Sequence, residues 1–241
     1  MATSGTSGRP APGPAALRGV LWDLDGTVVD SEPAWYAAEV TLVERYGGTW
    51  SKAQALALVG SDLHDTAAGL QAAGVPIETG ELINLMLDLV IERVMASQPW
   101  LPGVPQALAA CQAAGWSNAL VSMSWRRFTH AVAALAPGAF AVVVSGDDVV
   151  KGKPDPEAYL TGAAKLGCAP EECIAVEDSP TGAASALAAG IPTVVVPGAA
   201  TVPPRPGLIN VSGADAIKPD WLRLTHAKLL AQLHQAASDN P

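Results

Sequence analysis

The chain reads as an α/β protein, a doubly wound parallel sheet with an all-helical segment inserted after its first strand. Three observations lead there. Short, continuously apolar runs recur through the second half, and three of the four follow a glycine that closes a helical stretch. Runs without polar alternation mark strands buried on both faces, as in a parallel sheet covered by helices. One further run stands apart near the N-terminus, separated from the rest by residues 31 to 98, which carry helical periodicity only.

Composition sets the outer limits. A length of 241 residues with 49% apolar side chains suits one large core with a smaller attachment. The 14 Lys+Arg against 23 Asp+Glu argue against nucleic acid or an anionic membrane as a general partner. An anionic ligand therefore needs local positive charge or a metal. Residues 1 to 17 are rich in Ala, Pro, Gly, Ser and Thr, lack the apolar run of a signal peptide and read as a disordered tail. No stretch is long and apolar enough to span a bilayer. Cys111, Cys168 and Cys173 are odd in number and have no metal-ligand spacing, which predicts inert thiols in a reducing cytoplasm. A monomer or weak dimer is expected.

The first element is Val20-Leu21-Trp22, too short for a helix, which ends in Asp23-Leu24-Asp25-Gly26. Two carboxylates two residues apart in extended chain start on one face, where they repel unless a cation or a proton intervenes. A hard divalent ion such as Mg²⁺ suits such oxygen donors. Gly26 lets the backbone turn closely over whatever binds.

In the insertion, Tyr36, Val40 and Val43 recur at helical spacing, as do Leu82, Leu85, Met86 and Leu89. Turn signals at Gly47-Gly48, Gly60-Ser61-Asp62 and Gly74-Val75-Pro76 divide it into about four helices. The expected organisation is a core of residues 18–30 and 99–241 and a helical cap of residues 31–98.

After Pro102 the repeated unit takes over. Gly115 precedes Asn118–Val121, Gly167 precedes Cys173–Val176, and Gly190 precedes Thr193–Val196, with one more run at Ala141–Val144. Glycine just past a helix supplies the left-handed backbone that other residues resist. Pro197 to Gly207 reads as a surface loop, and Leu222, Leu229, Leu230 and Leu233 as the apolar stripe of a last helix. The seven tryptophans do not cluster and read mostly as packing residues.

The polar residues converge on this frame. Asp23, Ser122, Lys153 and Glu177-Asp178 each follow an apolar run, at the sheet edge where open α/β sheets form their ligand crevice. Taken singly, each has a plain structural explanation. Asp23 and Asp25 can be turn acids, and Ser122 or Ser124 a helix cap. Lys153 can be a loop cation, and Glu177-Asp178 capping acids. Their arrival in order at one edge makes coincidence improbable.

With these residues in view, the sequence resembles the haloacid dehalogenase superfamily, in the subgroup with a helical cap after the first strand, similar to β-phosphoglucomutases and phosphoglycolate phosphatases. The resemblance runs from Val20 to about Leu233 and rests on Asp23-Leu24-Asp25-Gly26-Thr27, Leu120-Val121-Ser122, Gly152-Lys153-Pro154 and Glu177-Asp178-Ser179-Pro180-Thr181-Gly182. It implies a Mg²⁺-dependent phosphatase acting on a small phosphorylated metabolite. Asp23 would attack phosphorus to form an aspartyl-phosphate, and Asp25 would serve as acid and then base. Mg²⁺ would be held by Asp23, the Asp25 carbonyl and Asp178, with Glu177 close by or acting through water. Lys153, Ser122 and free N–H groups, among them those of the Gly26 turn, would hold the phosphoryl oxygens. Trp35, the Gly60 loop with His64, Ser124 and Arg126 are the candidate substrate contacts. A sugar-phosphate mutase of the β-phosphoglucomutase type is the alternative. The chain departs from it by having Trp35 in place of a cap histidine, and Val59 and Leu63 where basic residues hold a second phosphate. A non-catalytic binding protein of the same fold would show damage to the charged set, and there is none.

Overall fold

A computed structural model describes residues 15–58, 61–97 and 99–239. The expected Gly60 contact, with Val59, and most of the N-terminal tail lie outside the described residues. Six parallel strands form one sheet: β1 (Gly19–Trp22), β2 (Ser117–Val121), β3 (Val142–Val144), β4 (Cys173–Glu177), β5 (Thr193–Val195) and β6 (Leu208–Asn210). Their order is β3-β2-β1-β4-β5-β6. The chain winds outward from β1 to β3, crosses back to β4 and winds outward the other way. The switch point lies between β1 and β4, where such sheets open a crevice.

Among the described residues, the segment from 31 to 98 that follows β1 forms four helices: α1 (Glu32–Arg45), α2 (Lys52–Leu56), α3 (Leu63–Ala72) and α4 (Thr79–Met95). Ser51 and Gln54 close a reciprocal capping box on α2, while the Asp62 and Glu78 carboxylates cap α3 and α4. In α4 the expected stripe holds, with Leu82 and Met86 fully buried. In α1 the stripe is rotated: Ala38, Leu42 and Val43 are buried, while Tyr36 and Val40 are half-buried. Trp35, Tyr36 and Glu39 instead line a cavity. The two crossings between the helical segment and the sheet run side by side, Asp30 N–H donating to Pro99 O and Leu101 N–H to Val28 O.

The later helices are α5 (Val104–Ala113), α6 (Arg126–Ala134), α7 (Glu157–Leu166), α8 (Pro180–Ala188) and α9 (Pro219–Asp239). Gly115, Gly167 and Gly190 sit past the ends of α5, α7 and α8 with φ of +82°, +69° and +75°, the conformation expected of them. Sequence periodicity missed β6, three residues at the sheet edge whose only apolar members are Leu208 and Ile209. In α9, Leu222, Leu229 and Leu230 are buried as expected. Trp22, Trp50 and Trp116 are packing residues, at 8% exposure or less.

Candidate active site

Register brings the charged residues together. Trp22 pairs with Val176 on β4 and Leu120 on β2, so the chain leaves three adjacent strands at one level. Asp23 N–H still donates to Val176 O, holding the first acid against β4, and Ser122 N–H donates to Val144 O. Asp23, Glu177 and Asp178 each offer an oxygen within 4.8 Å of the others, and all three are buried.

Lys153 is the cation among them. Its Nζ, with the side chain 5% exposed, lies 2.6 Å from Asp23 Oδ1 and 2.7 Å from Glu177 Oε1, and donates to Val121 O at 3.1 Å. Burial pulls its pKa down, but Asp23 and Glu177 outweigh that and hold the ammonium protonated. Glu177 is saturated: Tyr159 donates at 2.7 Å, and the other oxygen accepts from Asp178 N–H, Ser179 N–H and Ser179 Oγ. That leaves Glu177 orienting Lys153, and Asp23 and Asp178 free to meet a ligand. Thr27 Oγ1 approaches Asp178 at 3.4 Å.

One ammonium does not balance three buried carboxylates. Burial pushes Asp23 up to about 7, with Lys153 opposing and Glu177 and Asp25 adding to the rise. Burial, then Asp23 and Glu177, pushes Asp178 up to about 9. A hard divalent cation would supply the missing charge, and the donor set is all oxygen. The glycines fit it too. A Cβ on Gly26 or Gly198 would run into the Asp178 carboxylate, and one on Gly182 into that of Glu177.

Asp25 is set apart from this cluster by its partners. Its Oδ1 accepts from Ser31 Oγ at 2.5 Å and Trp35 Nε1 at 3.0 Å, and its Oδ2 from Ser124 Oγ at 2.7 Å and Ser122 Oγ at 3.2 Å. The sequence therefore placed Ser124 and Trp35 at the site, but the structure joins them first to Asp25. A cavity of about 340 Å³ opens over Asp23, Asp25, Ser122, Lys153 and Asp178 and is roofed by α1, α2 and the start of α3. That size falls in the range of small-molecule sites.

Two expected contacts are elsewhere. His64 does not line the cavity; its Nδ1 meets Asp62 at 2.6 Å and its ring lies against Trp125. Arg126 is half-exposed and pairs with Asp148. The Gly26 N–H donates to Val29 O, so the turn at φ +82° brings space for Asp178 rather than a free donor. Among the described residues, the N–H groups of Leu24, Asp25 and Met123 make no hydrogen bond and are the uncommitted donors beside Asp23. Sequence reasoning missed Tyr159, Ser31 and Glu39. A tyrosine in α7 carries no signal until the fold stacks it under Glu177, whereas Glu39, four residues after Trp35, lies on a legible helical face.

The helical segment rests on α6. Trp35 packs edge-on against Phe128 with centroids 5.7 Å apart, and Arg127 donates to Asn84 and Asp88 of α4.

Comparison with known proteins gives the family and the fold. The family model for haloacid dehalogenase-like hydrolases matches residues 17–190. Hexitol phosphatase A of Escherichia coli is 37% identical over 201 residues, covering 77% of this chain and 86% of that one. A phosphorylated carbohydrates phosphatase of Thermotoga maritima is 31% identical over 189 residues, covering 73% and 82%. A β-phosphoglucomutase structure from Clostridium difficile superposes with a TM-score of 0.76 at 17% identity, over 89% of this chain and 99% of that one. At that identity it shows the shared fold. The chain belongs to the haloacid dehalogenase-like hydrolases.

Proposed function

We propose, from membership of this hydrolase family, that the protein is a Mg²⁺-dependent phosphatase of small phosphorylated sugars or polyols, working through an aspartyl-phosphate on Asp23. The carrying observation is the buried pair of Asp23 and Lys153, 2.6 Å apart beside Asp178, at the floor of a cavity that Asp25 also faces. The names of the relatives, a hexitol phosphatase and a phosphorylated carbohydrates phosphatase, support the substrate class.

Asp23, Asp178 and the Asp25 carbonyl would hold Mg²⁺. Bound there, it offsets the negative charge of the phosphate and of the carboxylates around it. An Asp23 oxygen attacks phosphorus and the ester P–O bond breaks. Asp25 gives its proton to the departing oxygen, then takes one from the water that attacks the phosphorylated Asp23. Free phosphate and the Asp23 carboxylate are restored. Lys153 and Ser122 hold the phosphoryl oxygens, with the Leu24, Asp25 and Met123 N–H groups as further donors. Glu177, itself held by Tyr159, keeps Lys153 in line. Residues 31–98 act as the cap, excluding water and bulky phosphoproteins.

A mutase must hold a second phosphate. Among the described residues, Lys52 is the only cation besides Lys153 that lines the cavity, and Glu32 and Glu39 line it too. The test is turnover of sugar, polyol, nucleotide and glycolate phosphates with Mg²⁺ and with chelator. Mg²⁺-dependent release of phosphate from the sugar and polyol esters is expected. Binding of Mg²⁺ with no turnover of any ester would refute the reading, and conversion of β-glucose 1-phosphate to glucose 6-phosphate would replace it with the mutase.

A further inference from the structure

Helix α1 turns one face to the cavity, formed by Glu32, Trp35, Tyr36 and Glu39. The spacing of three and four residues puts them in line. Trp35 is tied to Asp25, and Glu39 lies four residues farther along α1, about 6 Å of helix rise from Trp35.

Glu39 is the unusual member. It is 5% exposed, yet among the described residues it makes no ion pair, and its one protein donor is Trp50 Nε1, 2.8 Å from Oε2. Its other oxygen has no donor among the described residues. Trp50 is itself buried, so the carboxylate is clamped in place. Burial pushes the Glu39 pKa up and the Trp50 bond pulls it back. Among the described residues no side-chain oxygen sealed from solvent is left unpartnered, so the free Glu39 oxygen is reached from the cavity, where a ligand donor can replace the water that meets it. Neutral hydroxyls are the donors that suit this cavity, because a second anion would meet Glu32 and Glu39 together with only Lys52 among the described residues to offset them.

We propose that Glu39, clamped by Trp50, is a specificity-determining residue that accepts hydrogen bonds from hydroxyl groups on the uncharged carbon chain of the phosphate ester. This inference rests on the phosphatase reading above. It selects polyol and open sugar chains long enough to pass Trp35 over alkyl chains of equal length, and it disfavours carboxylated or doubly phosphorylated substrates. The aromatic side chains of Trp35 and Tyr36 flank the same path and offer surface to the CH groups.

The test compares kcat/KM for a hexitol 6-phosphate with that for n-hexyl phosphate, which has the length without the hydroxyls. In Glu39→Gln, which can still accept from Trp50, the ratio of the two should fall about 10-fold, mainly through KM. In Glu39→Met it should fall about 10- to 100-fold, the range for a hydrogen bond to a charged group. Trp50→Phe should move the ratio in the same direction, and thermal unfolding shows whether each variant is folded. A ratio unchanged within twofold in Glu39→Gln, with the hexitol ester still turned over, would overturn the role of Glu39 and leave the phosphatase reading standing. No turnover of either ester by the unmodified protein would overturn both.

Discussion

Replacing Gly182 by alanine sets two effects of opposite sign against each other. Gly182 lies in the first turn of α8, where alanine is the better helix former by up to about 1 kcal/mol. Propensity alone therefore predicts a more stable protein. The structure predicts the reverse, because a Cβ there would overlap the carboxylate of Glu177. Glu177 is fully buried and holds Tyr159 and Lys153 at 2.7 Å and Ser179 Oγ at 3.0 Å. Displacing it forfeits at least one charge-assisted hydrogen bond, about 1.5–3 kcal/mol, while Asp23 still pairs Lys153. After subtracting the propensity gain, the variant should be less stable by about 0.5–2 kcal/mol. Urea unfolding followed by tryptophan fluorescence reads this as a lower midpoint at unchanged slope. Turnover should fall with it, since Lys153 loses its positioning partner. A Gly182→Ala protein as stable as its parent would refute the close approach of Glu177 to α8 and the role given to it.

The other predictions follow from single contacts. Tyr159→Phe removes one donor from Glu177 and should cost about 1.5–3 kcal/mol of stability in the same assay, with a change under about 0.5 kcal/mol counting against the network. Trp35→Phe keeps a ring against Phe128 but loses the bond to Asp25, and kcat should fall about 10-fold with KM for p-nitrophenyl phosphate changing less; an unaltered kcat would detach the cap from Asp25. Mg²⁺ binding should weaken as pH falls from 9 to 6, because burial holds protons on Asp178 up to about 9 and on Asp23 up to about 7. Titration calorimetry in buffers of different ionisation enthalpy should show protons released on binding, and a pH-independent affinity would contradict it. By the same linkage, raised carboxylate pKa values stabilise the metal-free fold fully below 3.8 and lose that contribution as pH rises through about 7 and about 9. Its urea midpoint should therefore drop across that window, and Mg²⁺ should restore it.

Much of this was legible in the chain because it depends on local pattern. Continuous apolar runs marked five of the six strands, and glycines at 115, 167 and 190 marked helix ends. Asp23, Lys153 and Glu177-Asp178 could be placed at one edge because strand ends in a parallel sheet share a level. What stayed hidden depends on the third dimension. Tyr159 meets Glu177 only when α7 packs beneath β1 and β2. β6 is too short to declare itself, and the α1 stripe reads about one residue out of phase because its cavity-facing side carries two aromatic rings. His64, with the Gly60 loop, and Arg126, with Ser124, are expected from the sequence to face the substrate. Their side chains find Asp62 and Asp148 instead.

The central claim is that the Asp23 carboxylate makes the new bond to phosphorus. The direct measurement is kcat of Asp23→Asn on p-nitrophenyl phosphate at saturating Mg²⁺, with thermal unfolding to establish that the variant is folded. A neutral amide cannot replace the nucleophile, so turnover should fall by about four orders of magnitude or more. A folded Asp23→Asn that keeps the rate of the unmodified protein would contradict the account.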